Sequence, residues 1–397
     1  MKHLFLCVIA IVFMMPSIAQ KKNISVEDLY KDYTFRPKSV YGLNSMNDGL
    51  HYTTLENRGS AIVKYSYKTG DAVDTLLNLN SFDGDEFKYM SDYNFCSNES
   101  KILFYNTVNS IYRHSFTANY YVFDLESKQI TKLSPEGGER LATLSPNGQY
   151  AAFMRDNDLF YRDLSKDEIV QITHDGQWNK IINGAPDWVY EEEFGYNQAF
   201  EWSPDGTSIA YCKFDESNVK KFTLLNYKGL APELKSNLLY PEVYDFKYPK
   251  AGEDNSIVTV HVYDLNSKET VEINTGDEAD VYFPRIYWTK KPETLAIVKL
   301  NRLQNQMDIL FANGTDGTCE VVYSETNPYY IDQPPYENLT FIDADNFLVM
   351  SEKDGFNHIY NYNSTKKELT QITVGNFDVD AFYGYDNKRK TLYYSST

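Results

Sequence analysis

Positive charge is in short supply in this chain of 397 residues. Its 38 lysines and arginines stand against 56 aspartates and glutamates, which leaves a formal net charge of −18. Nucleic-acid binding requires a basic footprint, so this balance argues against a nucleic-acid partner and also against adhesion to anionic membranes. An acidic surface is typical of a soluble protein and attracts cationic peptides weakly.

Cysteine is also scarce. Of the four cysteines, Cys7 lies in an N-terminal apolar run, which leaves Cys96, Cys212 and Cys319 for the folded protein. An odd number cannot all pair, the spacings are long, and the sequence has no Cys-x-x-Cys pair of the kind that binds metals. We therefore expect three small buried strand residues, a fold that does not depend on disulfides, and no metal or cofactor.

Residues 1–19 have the pattern of a secretory signal peptide. Lys2 and His3 precede the apolar run from Leu4 to Met15, and Ser17-Ile18-Ala19 supplies small residues at the cleavage positions. The apolar run is too short for a comfortable membrane span. A secreted or periplasmic protein is therefore expected rather than a membrane-anchored one.

Helical apolar periodicity is scarce, whereas aromatic residues are abundant, with 34 tyrosines and 23 phenylalanines. A short helix is expected in an N-terminal segment over residues 20–40, because Ser25 to Asp28 have the pattern of a capping box. After it, short alternating segments bounded by Asn, Asp, Gly and Ser predict strands and turns.

The strand segments repeat. The run Tyr121-Val122-Phe123-Asp124-Leu125 is echoed at residues 160–164, 262–265 and 359–363, and Ser-Pro-Asn-Gly or Ser-Pro-Asp-Gly turns occur at 145–148 and 203–206. Four-stranded repeats of roughly 40–60 residues are typical of a β-propeller, in which neighbouring blades cover each other's faces. An all-β propeller of about six blades is predicted over 41–397. The blades are expected near residues 41–80, 88–135, 140–175, 197–275, 281–325 and 338–373, with a further strand at Thr391–Tyr394.

Three adjacent carboxylates follow a run of large apolar side chains in Asp187-Trp188-Val189-Tyr190-Glu191-Glu192-Glu193. Like charges repel, and burying them is costly unless a cation pairs with them. The run therefore predicts a receptor for a positively charged group. Adjacent residues lie about 100° apart on a helix but on opposite faces of a strand. For Glu192 and Glu193 to converge, residues 188–196 should form a short helical projection, and Glu191 should point elsewhere into a structural contact.

This acidic run resembles the double-glutamate motif of the dipeptidyl peptidase IV family, in the prolyl oligopeptidase clan of serine peptidases. Residues 112–118, Tyr-Arg-His-Ser-Phe-Thr-Ala, resemble the arginine motif of the same family. Two further stretches, Tyr-Pro-Lys-Ala-Gly at 248–252 and Leu-Asn-Arg-Leu-Gln-Asn at 300–305, agree in order and spacing. The resemblance runs from about Ser25 to the last residue.

The resemblance implies about eight propeller blades followed by an α/β-hydrolase domain, so about six of eight blades are expected here, with the hydrolase domain missing. A serine hydrolase of this type needs a Gly-x-Ser-x-Gly nucleophile elbow, and no such string occurs in these 397 residues. The six histidines are scattered and are interpreted as ordinary strand and turn residues. No catalytic residue is therefore assigned, and the chain alone is expected to be inactive.

By resemblance, Glu192 and Glu193 bind the free α-amino group of a peptide, and Arg113 contacts the carbonyl of the bound dipeptide and braces the glutamates. An ammonium has three donors, and carboxylates accept them with charge assistance. Supporting roles are assigned to five residues. They are Glu191, Tyr190, Trp188, Tyr329 and Tyr330. For Tyr329 and Tyr330, contact with longer peptides and a plain surface loop are equally open.

Family membership implies the recognition propeller of a secreted dipeptidyl aminopeptidase that releases X-Pro or X-Ala dipeptides from peptides with a free N-terminus. The implied partners are these peptides, the chain's own hydrolase domain and a second copy in a homodimer. Three alternatives stay open: a stand-alone peptide-binding propeller, a homologue whose hydrolase domain has lost its serine, and a tripeptide-releasing relative. The sequence that follows residue 397 would separate the first two from the peptidase.

Overall fold

The computed structural model describes residues 23–37, 39–84, 88–227 and 240–397. The predicted signal peptide lies outside these residues. The described parts of the chain contain three short α-helices and 29 β-strands, and every strand pair is antiparallel. The helices are α1 (Val26–Tyr30), α2 (Trp188–Glu193) and α3 (Gln333–Glu337), and 3₁₀ turns lie at Asn57–Gly59 and Leu79–Ser81.

Most strands form six consecutive sheets, five of four strands and one of five. Sheet 1 contains β1 (Asn44–Ser45), β2 (His51–Glu56), β3 (Ala61–Ser66) and β4 (Ala72–Asn78); sheet 2 contains β5 (Asp92–Phe95), β6 (Lys101–Ser110), β7 (Phe116–Asp124) and β8 (Ile130–Lys132). Sheet 3 contains β9 (Arg140–Leu144), β10 (Tyr150–Arg155), β11 (Asp158–Asp163) and β12 (Glu168–Gln171). The five-stranded sheet 4 contains β13 (Ile181–Asn183), β14 (Phe200–Trp202), β15 (Ser208–Asp215), β18 (Ile257–Asp264) and β19 (Glu269–Glu272).

Two more sheets and two hairpins complete the described strands. Sheet 5 contains β20 (Val281–Trp288), β21 (Thr294–Asn301), β22 (Gln306–Asn313) and β23 (Cys319–Thr326); sheet 6 contains β24 (Thr340–Phe341), β25 (Asn346–Ser351), β26 (His358–Asn363) and β27 (Glu368–Gln371). One hairpin, β16 (Lys221–Asn226) with β17 (Glu242–Lys247), extends from sheet 4 between β15 and β18. The other pairs β28 (Val379–Asp386) with β29 (Thr391–Ser396).

Neighbouring sheets pack on each other through their apolar faces. Ile62 of sheet 1 and Phe104 of sheet 2 share one buried cluster, and Leu103 of sheet 2 and Phe153 of sheet 3 share another. The largest cluster runs from sheet 3 to sheet 6. A single four-stranded sheet cannot bury both faces, and successive sheets do so for one another. The fold is a β-propeller.

Turn chemistry sets the registers within the sheets. The turn between β14 and β15 has Gly206 at a φ of +74°, and the carboxylate of Asp205 accepts the N–H of Thr207 at 3.0 Å. The equivalent turn between β9 and β10 has Gly148 at +70°. Glycine adopts this left-handed conformation at no steric cost.

Five sheets fall where the sequence repeats predict, and β29 covers the further predicted strand. The fourth sheet begins earlier than the predicted residue 197, because β13 at Ile181–Asn183 also pairs with β15. The capping box at Ser25 is also confirmed, because its side chain and that of Asp28 each accept the other's backbone N–H. The cysteine prediction needs correction in two details. Cys96 is buried but follows β5 in a turn, and Cys319 is half-buried at the edge of sheet 5; only Cys212 is the buried strand residue expected.

Candidate functional site

The helix α2 begins where Asp187 breaks the strand pattern of sheet 4. The backbone of Asp187 is extended, and its side chain accepts the N–H of Tyr190 at 3.0 Å as an N-cap. Its second carboxylate oxygen accepts the hydroxyl of Ser256 at 2.6 Å. Burial raises the pKa of Asp187, and these hydrogen bonds oppose the shift.

Aromatic packing fixes α2 on the blades beneath it. Tyr190 is buried, its hydroxyl accepts the N–H of Phe283 at 2.9 Å, and its ring packs against Phe214 and Tyr282. Phe194, just after the helix, packs against Tyr190 and Tyr282. Tyr190 therefore supports the site from below, with its polar end satisfied by backbone.

The carbonyls at the C-terminal end of α2 receive side-chain donors from α3 and from sheet 5. Nε2 of Gln333 donates to the carbonyl of Glu193 at 2.8 Å, and Nη2 of Arg285 donates to the carbonyl of Phe194 at 2.8 Å. A helix leaves its last carbonyls without intrahelical partners, and these donors supply them. The short helix is thus held at both ends.

The three glutamates of α2 have different environments. Glu191 is fully buried, and its Oε1 accepts the backbone N–H groups of His114 and Ser115 at 2.9 and 2.8 Å. Its Oε2 lies 3.9 Å from Nη2 of the buried Arg140. This is the structural contact that the sequence predicted for Glu191, and the helical projection predicted for residues 188–196 is present at Trp188–Glu193.

Glu192 and Arg113 form an ion pair at the surface of this projection. Nε of Arg113 lies 3.2 Å from Oε2 of Glu192, and the two side chains are 74% and 13% exposed. The glutamate is thus mostly covered, whereas the guanidinium faces solvent. Because Nε makes this contact, the terminal nitrogens of Arg113 can donate to another acceptor.

Glu193 is exposed, and its carboxylate has no ion pair with any of the described residues. Glu193 follows Glu192 directly in the sequence, and Arg113 already contacts the Glu192 carboxylate. α2 therefore places an uncompensated carboxylate next to a braced one. This arrangement suits a small cation with several donors, such as an ammonium group.

The loop Tyr112–Ser115, here called the Arg113 loop, extends the hairpin of β6 and β7. The pairing of these strands shifts register between Asn106 and Asn109, where Thr107 has a φ of +54°. Beyond this bulge, the N–H of Ile111 donates to the carbonyl of Ser115 at 2.8 Å and closes the loop. The loop thus reaches from sheet 2 to α2, which is inserted in sheet 4.

Three of the four sequence motifs line one pocket of about 670 Å³ beside α2. The acidic motif contributes Trp188 and Glu193, and the ring of Trp188 lies 4.3 Å from that of Tyr248. The other two motifs contribute residues 248–252 and the side chains of Arg302 and Gln304. These segments, far apart in sequence, are therefore neighbours in the fold.

Tyr329 and Tyr330 lie in the loop between β23 and α3 and are 84% and 58% exposed. The next residues anchor this loop near the site, because the N–H of Ile331 donates to the carbonyl of Gln304 and Gln333 donates to Glu193. The two tyrosines are thus available at the surface near α2.

Sequence reasoning missed Arg140, Arg285, Gln333 and Ser256. Arg140 is a charged residue that is buried at the start of β9, which is an unusual position, but this burial cannot be read from the sequence. Gln333 begins α3 and Ser256 lies in the loop before β18, and the sequence carries no signal for either of them. Their roles depend on which loops the propeller brings together.

The described residues contain no cluster of three His, Cys, Asp or Glu side chains that could hold a metal ion. Within the same residues, no helix is both long and apolar enough to span a membrane.

Comparison with known proteins identifies the class to which this fold and site belong. The family model described as the dipeptidyl peptidase IV (DPP IV) N-terminal region matches residues 97–397, which is more than half of the chain. The chain therefore belongs to this family. The crystal structure of Porphyromonas gingivalis dipeptidyl peptidase 4 is similar over 94% of this chain and 52% of that chain, with a TM-score of 0.87 and 37% identity.

Three further proteins are also similar to this chain. The Phaeosphaeria nodorum protein named "Probable dipeptidyl-aminopeptidase B" is 31% identical over 351 residues, 81% of this chain and 38% of the relative. The "Probable dipeptidyl peptidase 4" of Arthroderma benhamiae is 29% identical over 407 residues, 96% of this chain and 49% of the relative. A Bacteroides ovatus structure at 22% identity shares the fold, with a TM-score of 0.68. The chain thus spans half or less of the length of these curated relatives.

Proposed function

We propose that this chain is the substrate-recognition propeller of a secreted serine-type dipeptidyl aminopeptidase that releases X-Pro or X-Ala dipeptides. In this proposal Glu192 and Glu193 bind the free α-amino group of the peptide. Arg113 donates a hydrogen bond to a backbone carbonyl of the N-terminal dipeptide. The observation that carries the proposal is the unequal pair of carboxylates on α2, one contacted by Arg113 and the other without a cation among the described residues.

The charges of the site support this assignment. Glu191 has a buried guanidinium nearby, and Glu192 has an exposed one. An ammonium bound at Glu193 would add the remaining positive charge and relieve the repulsion between adjacent carboxylates. Charge-assisted bonds to two acceptors would also fix the direction of the peptide chain.

Such a site would select the peptide bond that is cleaved by its distance from the bound N-terminus. If the N-terminus is fixed at Glu192 and Glu193, a nucleophile at a set distance reaches a single peptide bond of the substrate. Positioning of this kind supplies a large share of catalysis without bond-making by the groups involved. The nucleophile itself would belong to an α/β-hydrolase domain, which the family resemblance implies.

The experiment measures binding of two peptides to the chain by isothermal titration calorimetry. We expect the amide of Ala-Pro-Ala-Ala to bind, and its N-acetylated form to bind at least tenfold more weakly. In the Glu192→Gln/Glu193→Gln variant, the free peptide should bind as weakly as the acetylated one. The Asp277→Asn/Glu278→Gln variant removes the same charge from an exposed loop and should bind as the wild type does. Equal affinity of the wild type for both peptides would refute the proposal.

A further inference from the structure

A buried arginine lies beneath the site and is not accounted for by ligand contact. Arg140 begins β9 in sheet 3 and is 8% exposed. Its Nη2 lies 3.9 Å from Oε2 of Glu191, which is an ion-pair distance. Nε and Nη2 of Arg140 and Oε2 of Glu191 have no hydrogen-bond partner in the described part of the chain. The guanidinium and the carboxylate therefore face each other as a buried pair.

Two features of the β9 backbone direct the side chain of Arg140 toward Glu191. The pairing of β9 with β10 shifts register between Ala152 and Met154, opposite Arg140. Leu141, the next residue, has a φ of +57°, which is an uncommon conformation for a leucine. A bulge re-aims the side chain next to it, and strained residues of this kind gather at functional sites. The distortion thus turns Arg140 out of the strand alternation and toward Glu191.

Stability alone is a poor reason for this pair. A buried ion pair loses so much hydration that well-packed apolar residues in its place are often as stable or more so. Glu191, in contrast, has a specific task. Its Oε1 accepts the N–H groups of the two residues that follow Arg113 in the loop. A carboxylate at this place must keep both its charge and its orientation.

We propose that Arg140 is a positioning residue for the amine-binding site. It holds the carboxylate of Glu191, Glu191 holds the backbone of His114 and Ser115, and this backbone sets Arg113 against Glu192. The inference rests on the proposed function, because it concerns the same site. Its subject is different, however, since Arg140 lies in another blade and does not contact the ligand.

The test uses the Arg140→Met variant, the Arg140→Lys variant and peptide binding by the free and acetylated Ala-Pro-Ala-Ala amides. We expect Arg140→Met to bind the free peptide at least tenfold more weakly at temperatures well below its Tm, and Arg140→Lys to recover part of the loss. Arg155→Met is the matched control, because Arg155 lies in the same sheet but pairs with Glu136 near the surface. It should bind as the wild type does.

A double-mutant cycle separates positioning from independent effects. If Arg140 acts through Glu191, adding Arg140→Met to Glu191→Gln should lower the affinity by less than twofold more. In the Arg140→Met/Glu191→Leu variant, an apolar pair replaces the buried ions and should restore the Tm but not the affinity. This variant keeps the test valid if Arg140→Met fails to fold. Wild-type affinity in either Arg140→Met or the apolar double variant would overturn the proposal, as would additive losses in the cycle.

A second readout does not depend on the peptide. Amide resonances of His114 and Ser115 report the hydrogen bonds to Glu191, so they should shift in Arg140→Met and stay unchanged in Arg155→Met. Unchanged resonances in Arg140→Met would refute the positioning role even if binding falls. If the wild type binds free and acetylated peptides equally, the proposed function fails, and these resonances still decide whether Arg140 positions the Arg113 loop.

Discussion

Nε of Arg113 lies 3.2 Å from Oε2 of Glu192, although the arginine comes from sheet 2 and the glutamate from the helix inserted in sheet 4. The contact joins two sequence motifs that are 79 residues apart in numbering (192 − 113). The Glu192 side chain is only 13% exposed, whereas the Arg113 side chain is 74% exposed. Each partner therefore has a different part in the proposed site, and substitutions should separate these parts.

Glu193→Gln should weaken binding of a peptide with a free N-terminus and leave the fold intact. The change keeps the size of the side chain but removes a charge-assisted hydrogen bond, which is worth about 1.5–3 kcal/mol. Because Glu193 is exposed, its loss should change the free energy of unfolding by less than about 0.5 kcal/mol. Calorimetric titration and thermal unfolding measure the two effects. A large drop in Tm with unchanged affinity would contradict the assignment.

Arg113→Ala should also weaken binding, because the peptide carbonyl loses its donor and Glu192 loses its brace. Arg113→Lys keeps the charge but not the planar fork of donors, so it should restore the affinity in part. Arg389→Ala is a suitable control, since Arg389 is 76% exposed and also pairs with one acidic residue. Equal affinities of Arg113→Ala and Arg389→Ala for the free peptide would show that the Arg113 side chain does not bind it.

Much of this architecture could be predicted from the sequence, because its signals are local. Alternating apolar residues and Asn-Gly or Asp-Gly turns mark the blades, and the run of acids after Trp188 and Tyr190 marks the helix. The direction of Glu191 also follows from helix geometry, since three consecutive side chains cannot all face one ligand.

The remaining parts of the site depend on contacts between distant segments. Arg140 lies next to a bulge in which Leu141 has a left-handed backbone conformation. The sequence has no glycine or asparagine at this position that would predict the bulge. Gln333, at the start of α3, reaches the carbonyl of Glu193 from 140 residues further along the chain. Local sequence patterns predict the strands of each blade. They do not predict the contacts between blades, because these depend on how the sheets pack together.

Stability should depend on pH through Glu201, which lies on β14 at the wall of a cavity of about 1120 Å³. Burial raises the pKa of Glu201 to about 7. A glutamate in an unfolded chain has a pKa of about 4.3. Between these values the native state binds more protons than the unfolded state, so stability falls as the pH rises from about 4.3 to about 7. The penalty is complete above this window and is on the order of 4 kcal/mol.

Glu201→Gln should remove this penalty. We expect the variant to match the wild type in Tm near pH 4 and to exceed it at pH 8, where the wild-type carboxyl is ionised without compensation. Burial also raises the pKa of Glu216 to about 7, so some of the pH dependence should persist in the variant. Glu269→Gln alters an exposed residue of the same cavity wall and should follow the wild type at every pH. A Glu201→Gln curve parallel to that of the wild type would disprove this account.

The hairpin of β28 and β29 should be the least protected pair of strands near the end of the chain. In the described residues these strands pair with each other alone. Seven of their eight hydrophobic or aromatic residues, including Tyr383 and Tyr393, are half-exposed or exposed rather than buried. Their apolar contact with sheet 6 consists chiefly of Val379 and a few partly buried neighbours. Few buried contacts mean that local opening requires little free energy.

Hydrogen exchange followed by mass spectrometry should therefore show faster exchange in Thr391–Ser396 than in Asn346–Ser351, whose strand lies inside sheet 6. Equal protection of the two strands would mean that the hairpin is held as firmly as a central blade strand.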